Sequence, residues 1–339
     1  MERTMIELGD NTNRWGAPPS AVRAMRESAD AMLSGYPEMY SRTLKEAIAR
    51  YVGVDPDMIV IGNGSDDILD SSFRGLAEPG DRLAMLEPTF VMVPIFAQLH
   101  RLVVDRVPLG ENYGLQVEAL VANSPRIVYI CSPNNPTGTV IPRASVEAVA
   151  SRAPGVVLID EAYFEFAGET AVPLVHDFPQ LIVARTLSKA FGLAGLRVGY
   201  AIASPKMVRA IEAARGPYTV SAMSERAAAA AVDRDGAWVR ENVAKSIASR
   251  DRLASKLRER GIEVPPSVTN FVFAPVANAG AIAKVMRERG VSVRPFAKIP
   301  QFCAALVASK GEALRITAGP DEEIDAALAA FDEARRVCG

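Results

Sequence analysis

Lys189 lies in the run Arg185-Thr-Leu-Ser-Lys-Ala-Phe-Gly-Leu-Ala-Gly-Leu-Arg-Val-Gly-Tyr200, close to two hydroxyl residues, Thr186 and Ser188, and an arginine, Arg197. An apolar stretch, Leu181-Ile-Val-Ala184, leads into it. A lysine at the end of a buried strand needs a covalent or ionic partner for its amine. Thr186, Ser188 and Arg197 are residue types that hold phosphates. A reactive amine beside a phosphate pocket suits a Schiff-base lysine carrying pyridoxal phosphate.

Other residues fit the same chemistry. Asp160 ends the apolar run Val156 to Ile159. A carboxylate there can pair with a protonated pyridine nitrogen; the alternative is an aspartate that caps the next element. Asn135 sits in Cys131-Ser-Pro-Asn-Asn-Pro-Thr-Gly138, a turn after a strand. Its amide and the Tyr163 hydroxyl can both donate to a phenolic oxygen, or serve only as a turn residue and a half-buried tyrosine. Gly62-Asn-Gly-Ser-Asp-Asp67 follows a strand and opens a helix, so the backbone at Gly64, Ser65 and Asp66 can approach a phosphate. The side chains of Asp66 and Asp67 would repel that phosphate and are expected to point away. Phe90 can stack on a planar ring or fill the core, and composition favours core. Arg315, in the apolar run Leu314 to Thr317, needs an anion: a substrate group, or a structural ion pair. Arg294 is a second candidate of the same kind.

The elements that must position these residues are legible from periodicity. Short apolar runs alternate with helical patterns from about residue 40 to 205: Met58 to Ile61, Leu83 to Leu86, Val103-Val104, Ile127 to Ile130, Val156 to Ile159, Leu181 to Val183 and Tyr200 to Ile202. Such runs predict strands covered on both faces, and their spacing predicts a mostly parallel α/β sheet flanked by helices. The candidate residues follow the carboxyl ends of these strands, where such sheets bind ligands. A long helix is expected from about Trp238 to Arg260. Beyond it come strands at Asn270 to Phe273, Val291 to Arg294 and Leu314 to Thr317, a helix ending at Gly290 and another from Asp321. This pattern predicts a smaller α+β domain. The division expected is an arm (1–35) contributing to the small domain, a large cofactor domain (36–232) and a small domain (233–339).

Composition narrows the classes. The chain has 339 residues, of which 49% are hydrophobic, enough for two cores. Lys plus Arg number 38 against 40 for Asp plus Glu, and no basic stripe marks a nucleic-acid partner. Three scattered cysteines and two histidines give neither a disulfide framework nor a metal set. No stretch suits a signal peptide or a membrane span, so a cytoplasmic protein is the expectation.

Taken together, Ser132 to Gly138, Asp160-Glu-Ala-Tyr163, Arg185 to Lys189 continuing to Gly199, and Leu314 to Thr317 resemble the fold-type I, aspartate-aminotransferase-like enzymes that use pyridoxal phosphate. Within them the chain is most similar to histidinol-phosphate aminotransferases. The resemblance implies a transaminase of amino-acid biosynthesis acting on an amino donor and a 2-oxo acid. Lys189 would hold the cofactor and shuttle a proton. Asp160 would bind the ring nitrogen, and Asn135 and Tyr163 the phenolic oxygen. Phe90 would stack on the ring. Gly64, Ser65, Asp66, Thr186, Ser188 and Arg197 would hold the phosphate. Arg315, with Arg294 and Trp15, would bind substrate. Tyr36 would reach the phosphate of a neighbouring subunit in a homodimer. A phosphothreonine-type decarboxylase and a ligand-sensing or assembly module are the alternatives. Phe90 stands where the family usually has tyrosine, the arm reads Asn11-Thr-Asn-Arg-Trp15, and the segment Pro295 to Glu312 is longer than usual. These departures predict a carboxylate-bearing donor.

Overall fold

The computed structural model describes residues 5–28 and 34–338. Its strands are β1 (Ile6–Glu7), β2 (Ile59–Asn63), β3 (Arg82–Glu87), β4 (Val103–Pro108), β5 (Ile127–Cys131), β6 (Val156–Asp160), β7 (Leu181–Thr186), β8 (Val198–Ala203), β9 (Phe271–Pro275), β10 (Val291–Ser292), β11 (Arg294–Phe296) and β12 (Ala313–Thr317). Strands β2 to β8 form one seven-stranded sheet in the order β2-β8-β7-β6-β5-β3-β4. Its members are the seven apolar runs read from the sequence. β5, β6, β7 and β8 are buried along their whole length, as strands covered on both faces must be. The edge strand β4 is more exposed, and its Asp105 pairs with Arg82 of β3, a charged edge that discourages further pairing.

Neighbours are parallel except at β8, which runs antiparallel to both β7 and β2. The reason lies in the connection. Residues 187–197 hold only a single short turn of helix, Ala194–Leu196, too little for a crossover over the sheet. The chain therefore reverses, and the reversal puts Lys189 and Arg197 on one loop at the carboxyl end of β7. Since β2 is also antiparallel to β8, the carboxyl ends of β2, β3, β5, β6 and β7 all point the same way.

The seven-stranded sheet has a hydrophobic cluster on each face. Leu86, Val128, Ile130, Val157 and Ile159 belong to one, and Val60, Leu83, Leu158 and Ile182 to the other. A separate cluster, including Leu253, Val272, Leu314, Ile316 and Phe331, joins the antiparallel sheet β11-β12-β9 to the helices Gly236–Arg258, Ala279–Glu288 and Asp321–Cys338. The strand expected at Val291 to Arg294 is two pieces. β10 pairs with β1 and β11 pairs with β12, so the chain changes partner at Val293. The N-terminal segment touches both bodies. Leu8 is buried in the smaller cluster, whereas α1 (Pro19–Ser28) packs on the helix Ala222–Arg234, with Ala21 in the larger one. Two further helices, α2 (Arg42–Val52) and α3 (Gly64–Leu76), flank the large sheet.

α3 starts against the sheet with no room to spare. A Cβ on Gly199 of β8 would lie 2.3 Å from the Gly64 carbonyl carbon and 2.3 Å from the Ser65 nitrogen. Gly199→Ala must therefore push the first turn of α3 outward. Overpacking of this kind costs about 1–3 kcal/mol. Thermal unfolding should show a lower Tm; an unchanged Tm would mean that the start of α3 is free to move.

Candidate active site

The carboxyl ends of the parallel strands open into a cavity of about 250 Å³, walled on its far side by Arg294, Phe296 and Arg315 of the antiparallel sheet. Lys189 lines it half-buried, and its Nζ donates to the Asp10 carbonyl at 3.1 Å. Among the described residues it has no carboxylate within ion-pair distance. Burial, and then the nearby Arg315, lower its pKa to about 8. An appreciable fraction of the amine is thus neutral and nucleophilic near neutral pH.

Asp160 is the last residue of β6 and is buried. Its Oδ1 accepts the Ala162 N–H at 3.1 Å, the local turn contact a capping residue would make. The carboxylate also lines the cavity, and its Oδ2 accepts from the Tyr129 hydroxyl at 2.8 Å. Burial pushes its pKa up to about 6, against the pull of these two donors. It thus makes the contact of a cap and also presents a carboxylate to the cavity.

Asn135 and Tyr163 flank the same space. Arg315 Nη1 donates to Asn135 Oδ1 at 2.6 Å. A guanidinium can only donate, so this contact fixes the amide orientation and leaves the Asn135 NH₂ free to donate elsewhere. The Tyr163 hydroxyl accepts from Asn11 Nδ2 at 2.8 Å, which likewise leaves its own hydrogen to give. Burial holds that phenol protonated by raising its pKa. Phe90 is partly buried; it packs against the apolar cluster on one face of the sheet and also lines the cavity.

At the other end, Ser65 and Asp66 of α3 meet Thr186, Ser188 and Arg197. Gly64 has φ +79°, and a Cβ there would come within 2.5 Å of Arg197 Nη2, so the cradle depends on glycine. Thr186 Oγ1 accepts the Ser188 N–H at 3.1 Å and donates to Ser188 Oγ at 2.9 Å, fixing both hydroxyls. One expectation fails here. Asp67 does turn away, accepting from the Asn63 N–H at 2.9 Å and Arg215 at 2.6 Å. Asp66 does not: it lines the cavity, and its Oδ2 lies 3.3 Å from Arg197 Nη2, within ion-pair distance of that guanidinium.

Arg315 is 8% exposed. Besides Asn135 it donates through Nη2 to the Gly9 carbonyl, and its Nε has no partner. Among the described residues no carboxylate pairs with it, which removes the structural ion pair. Phe271 and Phe296 flank it, with ring centroids 5.5 and 5.7 Å from its guanidinium carbon. Arg294 is its direct cross-strand partner and lines the same cavity, though exposed.

Two candidates lie elsewhere. Trp15 is not in the lining. The Asn13 side chain accepts the Trp15 N–H at 2.9 Å, and that turn carries the chain off, leaving Asp10 and Asn11 at the cavity instead. Tyr36 is 86% exposed and stacks on Tyr218 at 5.1 Å, away from the cavity of its own chain. Sequence reasoning missed Asn11 and Tyr129. Asn11 sits in a Gly/Asn-rich arm with no periodicity, and its contacts are with Tyr163, Asn270 and Thr317, far along the chain. Tyr129 reads as one more strand residue, although a phenol in an otherwise apolar run signals a buried partner.

The donor set fits pyridoxal phosphate. It offers an amine of lowered pKa, a buried carboxylate, two donors lining the same cavity and a glycine-dependent cradle with an arginine. Comparison with known proteins agrees. The profile of aminotransferase class I and II matches residues 3–331. The histidinol-phosphate aminotransferase of Thermoanaerobacter pseudethanolicus is 36% identical over 306 residues, 88% of this chain and 87% of that protein. Histidinol-phosphate aminotransferase 1 of Pseudomonas aeruginosa is 36% identical over 334 residues, 96% and 92% of the two chains. The crystal structure of the Sinorhizobium meliloti histidinol-phosphate aminotransferase in complex with pyridoxal-5'-phosphate superposes with a TM-score of 0.89 at 28% identity, covering 99% of this chain and 93% of that one. An aspartate-aminotransferase-like sheet, a cavity furnished for pyridoxal phosphate and a match along nearly the whole chain place this protein in the class I and II aminotransferase family, as a pyridoxal-phosphate-dependent transaminase.

Proposed function

We propose that the amino donor is a phosphate-bearing amine of the histidinol phosphate type and that the acceptor is a 2-oxo acid, both anions being read by Arg315. The observation that carries this is the Arg294–Arg315 pair. Like charges directly opposite across two strands destabilise a sheet unless an anion lies between them. Arg315 is already buried without a carboxylate, and two guanidinium groups suit a dianion better than a single carboxylate. The relatives named above support the same donor.

Bound in the cavity, pyridoxal phosphate supplies the electron sink that lets a donor Cα–H bond break. The residues of the chain do the rest. Asp160 holds the ring nitrogen protonated. Asn135 and Tyr163 donate to the phenolic oxygen. Phe90 covers a ring face. The first turn of α3 at Gly64, Ser65 and Asp66, with Thr186, Ser188 and Arg197, binds the phosphate. Lys189 Nζ would hold the cofactor, then take the donor's Cα proton and deliver it to the cofactor's C4′ carbon. A return of the proton at Cα after loss of carbon dioxide would make a decarboxylase, a reading the transaminase family assignment displaces; the binding-module reading falls with it. An α-carboxylate donor remains the second reading, favoured by Phe90, which lacks a hydroxyl to offer a phosphate.

The two donors separate in one assay. Histidinol phosphate should react and aromatic amino acids should not, and Arg294→Ala should hurt the phosphate donor more than the 2-oxo acid. Arg315→Ala should lower kcat/KM for both substrates by the ~2–5 kcal/mol typical of a truncated charge pair. Arg315→Lys should recover only part, since an ammonium cannot fork. Turnover of aromatic amino acids but not of histidinol phosphate would establish the carboxylate reading. Equal activity of wild type and Arg315→Ala would remove Arg315 from the site.

We further propose a homodimer with shared sites, each chain comprising an arm (1–35), a cofactor domain (36–232) and a small domain (233–339). A large aromatic pair, Tyr36 on Tyr218, standing in solvent supports this, as does Met39 at 59% exposure nearby. Tyr36 would then complete the partner's phosphate site. Inactive Lys189→Ala mixed with an inactive Tyr36 variant should regain activity on subunit exchange, because a heterodimer holds one intact site. A monomer at micromolar concentration would contradict it.

A further inference from the structure

Tyr129 lies in the middle of β5, fully buried in the apolar cluster on one face of the seven-stranded sheet. A tyrosine there must find a partner for its hydroxyl or leave a polar group stranded. The register shows where the partner is. Cys131 of β5 is directly opposite Asp160 of β6, and Tyr129 is opposite Leu158. Tyr129 is therefore the diagonal neighbour of Asp160 on the same face, a separation of roughly 7–8 Å that an aromatic side chain can span. Its hydroxyl does so, donating to Asp160 Oδ2 at 2.8 Å, while the Ala162 N–H holds Oδ1 at 3.1 Å.

We propose that Tyr129 is a positioning residue for Asp160: its hydrogen bond orients the carboxylate and makes it a weaker base, and so keeps the proton the two groups share on the cofactor's ring nitrogen rather than on Asp160. This rests on Asp160 as the partner of that nitrogen. Burial drives the Tyr129 phenol far above its ordinary pKa, so it is always the donor. Burial also works against the charge on Asp160, as does Asp66 of α3, while Lys189 favours it. The Cys131 thiol, opposite on β5, stays neutral because burial raises its pKa, and it donates to the Pro133 carbonyl at 3.3 Å. Of these four side chains, Tyr129 alone donates a hydrogen bond to the carboxylate. Removing a donor to a charged group favours its neutral form, so the carboxylate would become the stronger base and draw the shared proton off the ring nitrogen.

The test is Tyr129→Phe, which keeps the ring and removes one oxygen. The holoenzyme is reconstituted with pyridoxal phosphate carrying ¹⁵N in the ring, and the ¹⁵N resonance is followed against pH. In Tyr129→Phe the proton's preference for the ring nitrogen over Asp160 should fall by about one to two pK units, the worth of a hydrogen bond to a charged group, so the resonance should move toward the neutral-pyridine position while the pair still holds its proton. Asp160→Asn is the control. If Asp160→Asn moves the resonance toward neutral pyridine and Tyr129→Phe does not, Tyr129 only packs, and the proposal is wrong. If neither moves it, the reading of Asp160 fails and takes the proposal with it. Should the phenylalanine variant not fold, 3-fluorotyrosine in place of Tyr129 is a stronger donor and must move the resonance toward the protonated-ring position; no such move overturns the proposal.

Discussion

The structure depends on charges kept in a partly buried cavity without the partners that would neutralise them. Lys189, Asp160 and Arg315 meet there, and none of them has an oppositely charged side chain in contact among the described residues. Each is held by neutral groups instead: a backbone carbonyl, a phenol with a backbone N–H, and an amide with another carbonyl. Such an arrangement is expensive for folding alone. It is economical for a site that binds a zwitterionic cofactor and an anionic substrate, because the missing counter-charges arrive with the ligands. The lowered pKa of Lys189 and the raised pKa of Asp160 are two consequences of that one constraint.

The rest of the fold keeps these charges in register. Parallel β5, β6 and β7 deliver Asn135, Asp160 and Lys189 to one end of the sheet, and the reversal into β8 folds Arg197 back beside Lys189. The antiparallel sheet brings Arg315 against Asn135, and the N-terminal arm brings Asn11 against Tyr163. Those two hydrogen bonds join the smaller body to the larger at the cavity itself. In the roles proposed above, substrate contact with Arg315 would be coupled to the donors facing the cofactor, because a shift of one sheet on the other moves both hydrogen bonds together.

Much of this was legible in the sequence because the determinants are local. All seven strands of the large sheet were visible as apolar runs, and the glycine-rich turn at Gly64, the Asp160 strand end and the Lys189 loop each lie within a few residues of their strand. What could not be read depends on partners distant in sequence. The antiparallel direction of β8 follows from the length of one connection. The split of residues 291–296 follows from a change of pairing partner. Asn11 replaces Trp15 at the cavity because of a turn at Asn13 and contacts some 150 to 300 residues away. Asp66 turns toward Arg197, which no property of its own segment indicates.

The central claim is that Lys189 is the amine that holds the cofactor. Borohydride reduction of the purified holoenzyme, followed by peptide mass mapping, tests it directly. The account predicts a single pyridoxyl-phosphate adduct on the peptide containing Lys189, and none on that peptide in Lys189→Ala. An adduct on a different lysine in the wild-type protein would contradict it.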